Sequence, residues 1–110
     1  MTFTIKRNDT SPSIVGTAVR KLDNTVIPIT GATVRFHMGR IGETRLVDAA
    51  AALFTDGSDG KMKYDWQAAD TIAIGNYKAE FEVTFADGSI ETFPNGGYID
   101  VQITPDLGND

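Results

Sequence analysis

The strongest constraint on the fold is a stretch of strict alternation in the second half of the chain. Residues 76–85 read NYKAEFEVTF, in which every second residue from Tyr77 to Phe85 is apolar and those between are polar or charged. A period of two puts alternate side chains on opposite faces, so this segment is predicted to form an antiparallel strand with one solvated face. Because the following Asp87-Gly88 favours a hairpin turn, residues 89–93 are predicted to return beside it.

Similar patterns predict strands along most of the chain. Ten Ile, seven Val and thirteen Thr against four Leu favour an all-β domain, since β-branched side chains pack well on sheets. The predicted strands cover residues 3–7, 14–20, 32–38, 61–66 and 99–104, with a short edge strand at residues 26–29. The alanine run at residues 49–52 is predicted to be a strand or an irregular loop, with a helical turn as the alternative, because Asp56-Gly57 ends it too soon for an independent helix.

These elements predict one antiparallel β-sandwich of about seven to nine short strands, with a small barrel as the weaker alternative. The chain has 110 residues, enough for one domain. We expect residues 1–104 to form the sandwich and residues 105–110 to be a short polar tail.

Composition argues against several classes of function. Fifteen acidic and ten basic residues give a net charge of −5, which disfavours binding to nucleic acid. No apolar run is long enough to span a membrane, and the opening residues lack the apolar core of a signal peptide. Without cysteine and with a single histidine, the chain offers little for catalysis or metal binding. We therefore expect no enzyme activity, no cofactor and no metal.

Three groups of residues nevertheless suggest chemistry. His37 is the only histidine, and its place on the polar face of a strand favours a solvated or hydrogen-bonded side chain over a catalytic one. Residues 56–60, DGSDG, cluster oxygen ligands suitable for calcium, but two successive Asp-Gly turns explain them without a metal. Trp66 and Tyr64 suggest a sugar-stacking platform, although both share the apolar face of their strand with Met62, which favours burial.

A further pattern concerns folding. Asp70 and Gly75 precede Tyr77 at the start of the strongly alternating strand. This arrangement is typical of the tyrosine corner of immunoglobulin-like sandwiches, in which the ring packs inside and the hydroxyl bonds nearby backbone. It favours an immunoglobulin-like sandwich and carries no functional information by itself.

Several segments together resemble one known family. They are TGATVRF at residues 30–36, DGKMKY at residues 59–64, DTIAIGNYKAEFEV at residues 70–83, TFP at residues 92–94 and IKRNDT at residues 5–10. In order and spacing they resemble the N-terminal immunoglobulin-like domain of bacteriophage baseplate upper proteins. The resemblance spans nearly the whole chain and is weakest over residues 39–54.

The resemblance implies a non-enzymatic structural component of a tailed-phage virion, made in the bacterial host cytoplasm. Its implied partners are other virion structural proteins of the tail, baseplate, neck or capsid, in a symmetric multi-copy assembly. That family usually continues into a longer chain, whereas this chain stops soon after its last predicted strand, so a stand-alone module is expected. The alternatives are a capsid decoration protein and, from another class, a host-surface carbohydrate-binding module.

The first strand is the candidate docking element. Polar turn residues separate it from the main body, so we expect it to add to a neighbouring sheet by strand augmentation. The candidate docking residues are Thr2, Phe3, Thr4, Ile5, Lys6 and Arg7.

Overall fold

The computed structural model describes residues 2–107, which form eight strands and one short 3₁₀ helix. In chain order the elements are β1 (Thr2–Lys6), β2 (Ile14–Thr17), β3 (Thr33–Gly39), β4 (Val47–Leu53), β5 (Lys61–Tyr64), the 3₁₀ helix (Ala68–Thr71), β6 (Gly75–Thr84), β7 (Ile90–Phe93) and β8 (Ile99–Thr104). The predicted all-β class is confirmed, and eight strands lie within the expected number.

The strands form a sandwich that is nearly closed into a barrel. One sheet has the order β1-β8-β6-β3-β4, with β7 pairing the second half of β6, and the other has the order β4-β5-β2. β4 belongs to both, because its residues 47–51 pair with β3 while Ala52 and Leu53 pair with β5. A groove lined by residues of β2 and β7 marks where the structure stays open.

β6 is the central strand of the larger sheet and agrees with the alternation of its sequence. Its four apolar residues Tyr77, Ala79, Phe81 and Val83 are all buried. β3 pairs with one edge of β6, and β8 and β7 share the other. The predicted hairpin is confirmed, since β7 pairs with β6 from Thr84↔Ile90 to Phe81↔Phe93.

An aromatic cluster joins the two sheets. Phe36 of β3 is completely buried and stacks on Tyr64 of β5, with ring centroids 4.6 Å apart. It also contacts Phe81 of β6 at 5.1 Å and the edge of Trp66 at 5.6 Å. Such aromatic pairs contribute beyond the area that they bury, so Phe36 is the main contact between the sheets.

The tyrosine corner has the predicted geometry. The ring of Tyr77 is buried, and its hydroxyl donates a 2.7 Å hydrogen bond to the carbonyl of Ala73. The guanidinium of Arg40 lies over the ring, 4.6 Å from its centroid. The corner therefore ties the loop before β6 to the body of the sandwich.

Four details differ from the sequence predictions. β1 pairs with β8 in parallel, so the sandwich is not wholly antiparallel. Residues 26–29 do not form a strand, because the N–H groups of Ile27 and Ile29 donate to Ala18 and Gly57, which lie on different segments. The strand predicted at residues 14–20 ends at Thr17. The strand predicted at residues 61–66 ends at Tyr64, although Trp66 is still buried.

The alanine run forms the middle of β4, as the strand alternative predicted. Within the predicted tail, Asp106 accepts a 2.7 Å hydrogen bond from Arg7 and forms an ion pair with it. The remaining tail residues, 108–110, lie outside the described residues.

Position 16 in β2 requires glycine because the ring of Phe81 lies very close to it. A Cβ atom at this position would lie 2.8 Å from two ring carbons of the fully buried Phe81. We expect Gly16→Ala to reduce the free energy of unfolding by about 1–3 kcal/mol, because overpacking a tight core forces the surrounding groups to shift. Urea denaturation would measure the change.

Gly96→Ala is the matched control. Its Cβ would meet only the end of the flexible Lys21 side chain, so we expect a change within about 0.5 kcal/mol. Equal losses in the two variants would contradict the role assigned to Gly16.

Candidate docking surface

β1 is an edge strand with one free side. Thr2–Lys6 pair in parallel with residues 100–104 of β8. On the opposite side of β1, no strand within residues 2–107 pairs with it. Unpaired edges are templates for pairing with another chain, so this edge is a candidate docking surface.

The hydrogen bonds to β8 decide which backbone groups are free. Arg7 N–H donates to the Thr104 carbonyl at 2.8 Å. Because alternate residues of a strand point to opposite edges, the odd-numbered residues of β1 face β8 and Thr2, Thr4 and Lys6 face the free edge. The carbonyl of Lys6 accepts from Asp9 N–H at 3.1 Å, which leaves Thr4 as the central residue with both groups free.

The side chains of β1 anchor it firmly. Ile5 is buried in the core, and the ring of half-buried Phe3 stacks on Trp66 at 5.7 Å. Thr2, Thr4 and Lys6 are exposed. Of the six predicted docking residues, Thr2, Thr4 and Lys6 combine exposed side chains with backbone groups that point to the free edge. The side chains of Phe3 and Ile5 pack inside, and Arg7 forms an ion pair with Asp106.

Two other free edges are shorter. β2 (Ile14–Thr17) and β7 (Ile90–Phe93) have four residues each, against five in β1. Pro12 lies shortly before β2 and Pro94 directly follows β7. Proline cannot donate to a ladder, so β1 offers a longer free edge than β2 or β7. The edge of β4 opposite β3 is also unpaired over residues 47–51.

His37 lies in a polar cluster on the outer face of the larger sheet. It is only 7% exposed, less than its sequence position suggested. Its Nε2 lies 3.2 Å from Asp48 Oδ1 and its Nδ1 3.8 Å from Glu80 Oε2. These partners are the register neighbours of His37 on β4 and β6, which local sequence spacing could not reveal.

The Asp48 carboxylate is already paired with two arginines. Arg35 donates two hydrogen bonds to its Oδ1 at 3.0 and 3.1 Å, and Arg45 lies 3.6 Å from Oδ2. The hydrogen bond from Arg35 lowers the pKa of Asp48 below its usual value. This cluster ties three neighbouring strands together.

A shallow recess of about 170 Å³ lies beside His37. Within the described part of the chain, no serine, threonine or cysteine lines it. The recess thus brings His37 and Glu80 together without one of the serine, threonine or cysteine side chains that often act with histidine as nucleophiles.

The acidic turns direct their carboxylates into their own loops. Asp56 accepts hydrogen bonds from the N–H and hydroxyl of Ser58, and Asp23 and Asp87 make the same pair of contacts with the Thr or Ser two residues later. The residue between is Asn24, Gly57 or Gly88, each with positive φ. Across residues 2–107 no group of three His, Cys, Asp or Glu residues is placed to hold a metal ion.

The suggested sugar-stacking platform is buried. Trp66 is 3% exposed and Tyr64 is 4% exposed. The Tyr64 hydroxyl donates a 2.6 Å hydrogen bond to Asp70, and burial raises the pKa of Tyr64. These two rings belong to the core and have no free face for a sugar.

Within residues 2–107, no helix is long and apolar enough to cross a membrane.

A solved structure shows a similar fold. The crystal structure of CopC from Methylosinus trichosporium OB3b matches with a TM-score of 0.53, covering 98% of this chain and 88% of that chain at 15% identity. At this identity the likeness supports the β-sandwich class alone. No curated protein sequence matches the chain.

The fold is thus a β-sandwich with a free strand edge at β1. More specifically, the chain belongs to the BppU N-terminal domain family, whose model matches residues 2–93. This confirms the resemblance to the N-terminal domain of phage baseplate upper proteins and marks the chain as a phage baseplate structural domain. The matched range includes β1 but ends before β8, its partner.

The acidic turns predict a loss of stability in acid. The hydroxyl hydrogen bonds from Thr25, Ser58 and Ser89 lower the pKa values of Asp23, Asp56 and Asp87 below 3.8. A carboxyl with a depressed folded-state pKa stabilises the fold above its unfolded pKa and ceases to do so as the pH falls through the folded value. We therefore expect the free energy of unfolding to fall below about pH 4.

Urea denaturation of the wild type and of the triple variant Asp23→Asn, Asp56→Asn, Asp87→Asn would measure this effect between neutral and strongly acidic pH. Asparagine keeps a side-chain acceptor without titrating, so the variant should lose less stability in acid. An identical pH dependence in both proteins would contradict the assignment.

Proposed function

We propose that this domain is a non-enzymatic structural component of a tailed-phage virion that docks onto neighbouring subunits through the free edge of β1. The free N–H and C=O groups of Thr4 carry this proposal, because they lie unpaired at the free edge of β1. The partners are other virion structural proteins in a symmetric multi-copy assembly. The protein is made in the host cytoplasm and resides in the particle.

The side-chain chemistry of the domain supports a structural role. The Asp48 carboxylate beside His37 is bound by arginines, and the aromatic residues that suggested sugar binding pack in the core. Membership of a baseplate family favours the tail over the capsid lattice. We propose that residues 1–104 form the docking sandwich, with 105–110 as its tail.

The burial of Ile5 changes how docking is expected to occur. If β1 left its own sheet to join another, Ile5 would be exposed and Trp66 would lose the ring of Phe3. Exposing a buried isoleucine costs roughly 1.5–3 kcal/mol. A partner strand that adds to the free edge of β1 avoids this cost, so augmentation without detachment is the favoured mode.

Incorporation into phage particles tests this proposal. Thr4→Pro removes one free-edge N–H, which the domain's own sheet does not use, and proline is tolerated on edge strands. Thr4→Ala, the matched control, keeps that N–H. We expect Thr4→Pro to be depleted at least about tenfold from purified particles, as loss of about 1.4 kcal/mol of binding free energy requires, and Thr4→Ala to be retained.

Quantitative mass spectrometry of particles would measure the depletion, with circular dichroism to check folding. Lys6→Glu is a second variant that leaves the backbone intact and reverses the charge beside Thr4. Normal incorporation of folded Thr4→Pro would remove β1 from the docking surface.

A further inference from the structure

We infer that the shallow recess beside His37 is a second docking surface, at which Arg40 binds an acidic side chain of a different virion protein. The inference rests on the proposed function in treating this domain as a virion component, but it does not depend on the free edge of β1. The recess lies at the end of β3, where Arg40 directly follows the strand. Its charge, the position of Arg40 and the apolar residues around it support the inference.

The recess is basic, although the chain as a whole carries a net charge of −5. Its lining includes Arg40, Arg45, Lys78 and His37, against a single acid, Glu80. This local excess of basic groups complements an anion. A carboxylate fits better than a doubly charged phosphate group, because Glu80 repels an anion in proportion to its charge.

Two of the three arginine and lysine side chains in the recess already have acidic partners. Arg45 lies 3.6 Å from the carboxylate of Asp48, and Lys78 pairs with Asp100. Within residues 2–107, Arg40 makes no ion pair. In the same part of the chain its guanidinium donates no hydrogen bond. Arg40 is therefore the charge of the recess that a partner can neutralise.

The guanidinium of Arg40 is held in position without an acidic partner. It lies over the ring of buried Tyr77, 4.6 Å from the ring centroid. It also lies close to Gly75, where a Cβ atom would be 2.5 Å from its Nη2. Stacking uses the face of a guanidinium and leaves the N–H groups at its edge able to bind a carboxylate. Because the group is already positioned, binding costs less side-chain entropy.

Exposed apolar side chains surround this cation. Ile41 and Tyr98 line the recess, and Ile41 is 70% exposed. Ile72 and Ile74 are also exposed and belong to the loop directly before β6, whose first residue lies beside the guanidinium. Arginine and aromatic residues with apolar neighbours are typical of the centre of protein interfaces. A small free acid would leave these side chains uncovered, so the occupant is a protein segment with an acid among apolar residues.

A different protein suits this surface better than a second copy of this chain. Two copies that each carry a net charge of −5 repel each other. The turn carboxylates of Asp23, Asp56 and Asp87 are moreover bound within their own loops. β8 and β6 separate β1 from β3 in the larger sheet, so the recess and the free edge of β1 can bind different neighbours.

Incorporation of charge variants into phage particles tests the inference. We expect Arg40→Gln to be depleted at least about tenfold, because the partner's carboxylate loses a charge-assisted hydrogen bond. Lys61→Gln is the matched control, since it also removes one positive charge, from an exposed residue of β5 that makes no ion pair within residues 2–107. It should be incorporated like the wild type. Urea denaturation of both variants would check that the contact with Tyr77 is not needed for folding.

Two variants at Ile41 test the sign of the partner's charge and leave Arg40 on Tyr77. Ile41 is exposed, so neither Ile41→Glu nor Ile41→Lys should unfold the domain, and both lose the same apolar contact. Glutamate would repel an acidic partner and lysine would attract it. We expect Ile41→Glu to be depleted at least about threefold more than Ile41→Lys, measured by quantitative mass spectrometry of purified particles.

Suppressor selection identifies the protein that supplies the acid. Phage that carry Arg40→Glu would be plated, and the plaques that recover would be sequenced. We expect second-site changes that replace an acidic residue of another virion protein by lysine or arginine. Second-site changes confined to acidic residues of this chain would overturn the assignment to a different protein.

Normal incorporation of folded Arg40→Gln, or equal incorporation of the two Ile41 variants, would also overturn the inference. Thr4→Pro separates this failure from failure of the proposed function. If Thr4→Pro is lost from particles while Arg40→Gln is retained, the edge of β1 stands and the recess fails as a docking surface. If Arg40→Gln is lost while Thr4→Pro is retained, the recess stands and the edge of β1 fails.

Discussion

Every strand in this domain must satisfy its backbone N–H and C=O groups, and the organisation of the sandwich follows from that requirement. β6 is paired along both edges, by β3 on one side and by β8 and β7 on the other. β4 then bends from one sheet into the other, which removes two further edges. Within residues 2–107, strand edges without a ladder partner remain on β1, β2 and β7 and on β4 opposite β3 over residues 47–51. The proposed docking surface is thus one of the places where this requirement is left unmet.

The features predicted best were those that depend on neighbouring residues. The alternation of residues 76–85 predicted β6 and its hairpin because period two and an Asp-Gly turn are local signals. The tyrosine corner could be predicted for the same reason, since Tyr77 and its acceptor Ala73 are four residues apart. The Asp56 and Asp87 turns also follow from short motifs.

The features that were missed depend on contacts distant in sequence. The parallel pairing of β1 with β8 joins opposite ends of the chain, and no turn between them sets its direction. The neighbours of His37 come from β4 and β6 through the sheet register. The candidate docking residues could be chosen from sequence as a strand, but which of them face outward could not. That distinction comes from the hydrogen bond between Arg7 and Thr104.

Without cysteine, the domain depends on packing and hydrogen bonds for its stability. Phe36 joins the sheets, and the acidic side chains that suggested metal binding or catalysis instead stabilise turns and strand pairs. Membership of a baseplate family agrees with a domain that presents a free sheet edge. Such an edge can bind another strand strongly without any catalytic or ligand-binding side chain.

The most direct measurement is a cryo-electron microscopy reconstruction of the intact phage particle, at a resolution that separates neighbouring strands. Our account expects density for a strand of a neighbouring subunit beside β1, about 4.8 Å away. A particle that contains the domain with the free edge of β1 facing solvent, and its subunit contacts elsewhere, would contradict the account.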